Sequence, residues 1–262
     1  MPPDAWNPAQ YGKFNTERSQ PFYDLLDMLK RVEARPGRAV DLGCGTGALT
    51  RVLHERIGVS ATTGLDSSDA MLAAAGQVAT EGLRFIQGDI SEFHDAAGFD
   101  VVFSNAALQW VPEHESLFEA ISGMVRPGGQ LAVQMPANDD HLSHSTAHRI
   151  AAETPFAAAL GGYIRASWVR PPEWYSQRLF DLGFSEQSVR LQVYPHVLSQ
   201  SRDVVEWVKG SLLTDYQRRM SPQLFAEYLE AYTEELVHLL GDAEPYFYPF
   251  KRVMIWGRKP QT

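Results

Sequence analysis

Val40-Asp41-Leu42-Gly43-Cys44-Gly45-Thr46-Gly47 is the stretch on which the fold turns. A short strand-like run at 39–42 breaks into glycines at alternate positions, and a helix-like segment over 48–57 follows directly. Glycines so spaced let a strand turn tightly into a helix and leave no Cβ between the peptide groups and a ligand. Open α/β sheets bind ligands at the carboxyl ends of their strands, so this turn reads as a binding edge.

Working outward, short apolar runs recur at 61–65, 83–86, 99–104 and 130–135, with helix-like segments near 69–79 and 113–125 between them. Strand alternating with helix is the pattern of a parallel sheet covered on both faces. Upstream, Ser19 is placed to cap a helix whose Phe22, Leu25, Leu26, Leu29 and Val32 share one face, and Pro36-Gly37 is placed to stop it. Past Pro136 the rhythm breaks, and 137–172 carries His, Ser, Gly and Pro without a clear period. A helix-like 173–182, a strand-like 186–194, helical stretches at 202–213 and 221–240 and a last strand near 250–257 follow. The expectation is one α/β domain over 1–262, a doubly wound sheet, with mostly helical cap segments at 137–172 and 202–245 over the reacting groups.

The totals narrow the partners. Of 262 residues, 44% are hydrophobic and 21% charged, the balance of an ordinary globular chain. A formal net charge of -9 repels nucleic acid and anionic membrane, which favours a small-molecule partner and predicts no nucleic acid and no membrane. Cys44 is the single cysteine, no secretory pattern opens the chain, and no run of 18 apolar residues occurs, so the reading is cytoplasmic. No histidine spacing is typical of a zinc site, including His141, His144 and His148, so no metal is expected. No feature sets an oligomeric state.

Gly43, Gly45 and Ala48 also satisfy the spacing of a dinucleotide-binding turn, so the turn alone leaves a nicotinamide oxidoreductase open. Asp41 weighs against a pyrophosphate, which it would repel, and suits a ligand with a cationic amino-acid group. Asp66, 23 positions after Gly43, is placed to accept from ribose hydroxyls. Asp89, at the end of the third run, is placed to accept from an adenine amine, with Ile90 and Met71 against the ring. Aspartate after a strand is also a common helix cap or turn residue.

Together with Gly64-Leu65-Asp66-Ser67-Ser68 and Met71, Gly88-Asp89-Ile90, and Asn105-Ala106-Ala107-Leu108-Gln109-Trp110-Val111-Pro112-Glu113-His114, the turn resembles class I methyltransferases. The narrower resemblance is to trans-aconitate methyltransferases, through Trp6-Asn7-Pro8, Tyr11, Phe14, Arg18 and Pro21 and through Leu131-Ala132-Val133-Gln134-Met135-Pro136. It implies a seven-stranded, Rossmann-like sheet whose last strand is antiparallel, S-adenosylmethionine as methyl donor, and a small carboxylic acid such as trans-aconitate as acceptor, forming a methyl ester. The cofactor-binding set is then Asp41, Gly43, Cys44, Gly45, Asp66, Ser67, Met71, Asp89, Ile90, Asn105 and Ala106. Asp41, Gly43 and Asn105 lie around the methionine part, Asp66 at the ribose and Asp89-Ile90 at the adenine.

A carboxylate acceptor is ionised at neutral pH, its reference pKa being about 4.3, so the chemistry asks for placement and not for a general base. Arginine suits that task because its planar fork matches a carboxylate. Candidates are Arg18, Arg170 and Arg252, with Tyr11, Gln109, Trp110, His144 and Tyr175 as acid-positioning neighbours. Some relatives carry Gly-Leu-Arg-Pro where this chain has Leu212-Leu213-Thr214-Asp215, and the absent arginine points to a different or less charged acid. Two other acceptor classes compete with the same cofactor: a malonyl thioester, and a hydroxyl or amine of a secondary metabolite.

Overall fold

Seven strands pair into one sheet in the order β3-β2-β1-β4-β5-β7-β6 in the computed structural model, which describes residues 15–32 and 36–261, the side chains of 15–18 excepted. The strands are β1 Arg38–Leu42, β2 Ala61–Asp66, β3 Leu83–Gln87, β4 Phe99–Asn105, β5 Val125–Pro136, β6 Glu186–Leu198 and β7 Tyr246–Arg258. β1 to β5 run parallel, with Asp41 opposite Gly64 and Phe103. β7 enters antiparallel to β5, pairing Gln130 through Pro136 with Arg258 through Arg252. Among the described residues no helix is long and apolar enough to cross a membrane.

Among the described residues the helices are α1 Asn15–Leu26, α2 Ala48–Ile57, α3 Asp69–Ala75, α4 His114–Gly123, α5 Leu142–Ala151, α6 Phe156–Leu160, α7 Pro172–Asp181, α8 Asp203–Lys209, α9 Thr214–Arg219 and α10 Pro222–Leu240. Two compact units emerge. The sheet unit holds 15–137, 168–192 and 252–262; the helical unit holds 138–167 and 193–251.

Period-two alternation builds the sheet unit. Val40, Leu42, Val102, Leu131, Val133, Val253 and Ile255 bury with α4 and α7, whereas Ala39, Val101, Phe103, Ala132, Met254 and Trp256 bury with α1 and α2. Each fully buried branched side chain contributes about 1.5–3 kcal/mol, which is why these strands read as nearly continuous apolar runs. The helical unit has a separate core rich in tyrosine. Tyr228 and Tyr232, one turn apart on α10, donate their hydroxyls to the carbonyls of Ala147 (2.9 Å) and Ser143 (3.1 Å), one turn apart on α5.

Several boundaries differ from expectation for local reasons. α1 begins before Ser19, so Ser19 lies inside it, and it ends at Leu26. Past that point the chain tightens into short-range bonds, Met28 N–H to Leu25 and Leu29 N–H to Leu26. Leu29 and Val32 still pack on the core from outside the helix, which is how they sustained an apolar period. Gly76 turns the end of the 69–79 segment into a 3-10 turn. The 202–213 stretch stops at Lys209, with Gly210 as its cap, and α9 is an unforeseen helix. β6 continues past 194 through Pro195, which an edge strand tolerates because one side of its backbone has no ladder to complete.

Candidate active site

The turn after β1 is closed by its own backbone. Gly43 and Cys44 N–H both donate to the Leu65 carbonyl (2.8 and 2.9 Å), Gly45 N–H donates to Asp66 Oδ2 (2.8 Å), and Gly47 N–H donates to the Cys44 carbonyl (3.1 Å). These N–H groups are spent internally, so the turn is not a ready cradle for a pyrophosphate. Gly43, at φ 81°, could not be another residue: a Cβ there would stand 2.2 Å from that of Ala107. At Gly45 a Cβ would meet nothing within 4 Å, which marks open space along the turn.

Three carboxylates line this edge. Asp41 is buried; Thr50 on α2 donates to its Oδ2 at 2.6 Å, and its Oδ1 is buried without a hydrogen-bond partner. Burial pushes the Asp41 carboxyl up to about 7 against the pull of the Thr50 hydroxyl, and the charge of Asp66 adds to the rise. Asp66 accepts from Gly45 N–H on one oxygen and from Ser68 N–H on the other (3.0 Å), while Ser68 itself caps α3 by accepting from Met71 N–H. Each carboxylate oxygen has two acceptor positions, so Asp66 keeps capacity for hydroxyl donors. Asp89 closes a local turn, its Oδ1 accepting from the backbone and hydroxyl of Ser91 (2.8 and 2.6 Å). Ser67 is exposed, Met71 is buried and Ile90 is half-buried. Burial, together with the charges of Asp41 and Asp66, pushes the Cys44 thiol well above its ordinary value, so it stays protonated.

β4 ends in a strained turn. Ala106 has φ 54°, a left-handed conformation costly to a residue with a Cβ, and its N–H donates to the Gln134 carbonyl at 3.0 Å. Beside it, Gln134 Nε2 donates to Asn105 Oδ1 (2.6 Å) and Arg252 donates to Gln134 Oε1 (3.0 Å), a buried chain from β7 across β5 to β4. Gln109 Nε2 donates to the Ala106 carbonyl at 2.7 Å, and Trp110 is half-buried.

Tyr175 is fully buried and its hydroxyl is committed: Arg170 N–H donates to it (3.0 Å), and it lies 2.7 Å from His114 Nδ1, whose Nε2 lies 3.0 Å from the Leu108 carbonyl. The consistent proton assignment has the hydroxyl donate to Nδ1 and Nε2–H donate to Leu108. Burial lowers the His114 pKa, keeping this imidazole neutral. Tyr175 thereby fastens the Arg170 loop to the turn after β4, and the Arg170 side chain is exposed.

In the helical unit, His144 is buried on α5, with Nδ1 3.1 Å from Ser143 Oγ and Nε2 4.0 Å from Asp139 Oδ1. Burial brings its pKa down to about 4, against the opposing pull of Asp139. His141 instead caps α5 by accepting from Ser143 N–H. Among the described residues no group of three or more His, Cys, Asp or Glu is placed to hold a metal ion. Tyr11 and the Arg18 side chain lie outside the described residues. The sequence reading missed Thr50 and Gln134. Only Gln134 left a signal, as an amide inside the apolar run 131–135.

The sheet order with its reversed seventh strand, and a glycine turn flanked by Asp41 and Asp66, define a class I S-adenosylmethionine-dependent methyltransferase. A family model described as a methyltransferase domain matches residues 40–133. The chain is 41% identical over 264 residues to trans-aconitate 2-methyltransferase of Deinococcus radiodurans, covering 98% of this chain and 99% of that one. It is 40% identical over 237 residues to the enzyme of that name from Rhizobium meliloti, covering 88% and 89%. The chain therefore belongs to the trans-aconitate 2-methyltransferase family, and the oxidoreductase alternative is set aside. A solved Haemonchus contortus phosphoethanolamine N-methyltransferase 2, in complex with S-adenosyl-L-methionine, shares the fold: TM-score 0.55 at 18% identity, over 95% of this chain and 53% of that one. The cofactor is S-adenosylmethionine. Its cationic amino-acid end fits an edge with an orphaned carboxylate oxygen and open space at Gly45.

Proposed function

We propose that this methyltransferase esterifies a carboxylate of trans-aconitate or a closely related small polycarboxylic acid. The observation that carries the reading is the 41% identity, over 98% of the chain, to a relative bearing that name. Arg252 adds support, because a buried guanidinium tied through Gln134 to Asn105 suits recognition of an acid near the β4 end.

S-adenosylmethionine, when bound, supplies a methyl group already activated on a sulfonium centre. The residues then have to place two partners and exclude water. Asp41, Gly43, Cys44, Gly45, Asn105 and Ala106 serve the methionine half, Asp66 and Ser67 the ribose, and Asp89, Ile90 and Met71 the adenine. Arg18, Arg170 and Arg252 orient the acid with Tyr11, Trp110 and His144, and no side chain acts as general base. Segments 137–172 and 202–245 act as the cap. A small acid substrate and an unpaired Cys44 support a cytoplasmic setting.

Incubation with methyl-labelled cofactor and a panel of acids tests this. Label transferred to trans-aconitate and released as methanol by mild base is the expected result. Cofactor binding without transfer to trans-aconitate, cis-aconitate, citrate, isocitrate or itaconate would overturn the acceptor and turn the search to malonyl thioesters, hydroxyls and amines.

A further inference from the structure

Gln109 carries an acceptor whose direction is set by its own amide. Nε2 donates to the Ala106 carbonyl at 2.7 Å, so the amide cannot be turned over without placing two oxygens against each other. Oε1 is consequently the other face, and it is buried with no hydrogen-bond partner. A buried acceptor left unpaired is unfavourable, and Gln109 is held in place by its bond to the strained Ala106 turn. Such an atom fits a ligand that donates; toward a carboxylate it would be repulsive.

Topology narrows which donor. In the order β3-β2-β1-β4, Asp89 follows β3 and Asp66 ends β2, on one side of the β1 turn, whereas Gln109 follows β4 on the other. The second orphaned acceptor at this edge is Asp41 Oδ1, on β1, which pairs directly with β4. Ala107, two residues before Gln109, is the residue that a side chain at Gly43 would strike. Two unpaired buried acceptors, one on β1 and one in the turn after the neighbouring β4, call for one group with several N–H donors and a positive charge.

We propose that Gln109 is a cofactor-orienting residue, its Oε1 accepting from the α-ammonium of S-adenosylmethionine together with Asp41 Oδ1, and not a contact to the acceptor acid. The inference rests on the cofactor and is independent of which acid is methylated. Calorimetric titration of the wild type and Gln109→Met with S-adenosylmethionine and with S-adenosylhomocysteine, both without acid, tests it. S-adenosylhomocysteine keeps the ammonium and lacks the sulfonium charge.

The expected result is a rise in Kd of roughly 10- to 100-fold, equal for both ligands, the size of a lost hydrogen bond to a charged group. A loss confined to S-adenosylmethionine would overturn the ammonium assignment in favour of the sulfonium side. Unchanged Kd for both would overturn the proposal outright. Gln109→Asn, which keeps the amide on a shorter stem, is titrated beside it and is expected to raise both Kd values; if Gln109→Met does not fold, this variant decides by the same comparison. Failure of methyl transfer to trans-aconitate by a wild type that binds the cofactor would sink the acceptor reading and leave this one standing.

Discussion

The substitution Asp41→Asn separates what this residue costs the fold from what it does for the cofactor. In the folded chain the carboxyl titrates near 7, against an ordinary value of 3.8. The folded state therefore binds a proton that the unfolded state has released throughout that interval, and stability falls by about 1.36 kcal/mol for each pH unit climbed. The loss begins above 3.8, is complete just above 7, and sums to about 4 kcal/mol. Between pH 5 and pH 8 roughly 3 kcal/mol of it is realised. The amide that replaces the carboxyl has no proton to bind, keeps an oxygen for Thr50, and leaves an amide donor at the orphaned position, a cost of about 1–3 kcal/mol that does not vary with pH. Urea denaturation of cofactor-free protein at both pH values is the assay. The variant is expected to gain about 3 kcal/mol on the wild type between pH 5 and pH 8 while binding S-adenosylmethionine far more weakly. A stability difference that stays constant within about 1 kcal/mol would show that Asp41 is ionised across the range and refute the burial argument.

Wild-type affinity for the cofactor, followed by fluorescence, is expected to fall about tenfold per unit below pH 7 as Asp41 takes up its proton, and a flat profile down to pH 5 would contradict that. Tyr175→Phe leaves the His114 and Arg170 groups without their shared hydroxyl, at a cost of about 1–3 kcal/mol in thermal denaturation; a loss below about 0.5 kcal/mol would mean that water replaces it. Ala106→Gly relieves the left-handed strain and is expected to be neutral or stabilising by up to about 1 kcal/mol, whereas a clear destabilisation would show that the methyl group packs. Arg252→Gln is expected to raise KM for a tricarboxylic acid more than about 10-fold with little change in cofactor Kd, and equal losses in both would assign the residue to the fold.

The sheet was legible wherever one residue type dominates one face. Val40, Val102 and Val133 are apolar for the same reason that they are buried, so periodicity and structure coincide. Helix ends were less legible, because Leu29 and Val32 prolong an apolar period after α1 has stopped hydrogen-bonding as a helix. The glycine turn and its aspartates could be placed because strand ends and turn chemistry are local. Tyr175 and Arg252 could not be sorted in the same way. Whether an aromatic ring or a guanidinium reaches a ligand or spends itself on His114 or Gln134 depends on partners 61 and 118 positions away.

The reversal of β7 has a consequence for how the chain is made. Its strand, made after the other six of this sheet, does not join the rim but fills a gap between β5 and β6. Until residues 246–258 emerge, β6 has no neighbour in the sheet and β5 presents an unpaired apolar edge at 130–136. Nascent protein is thus open to edge-to-edge association from the emergence of β5 until that of β7. A ribosome stalled within the last turns of α10 would release a product that has all of its cofactor turn and a sheet that ends at an unpaired β5.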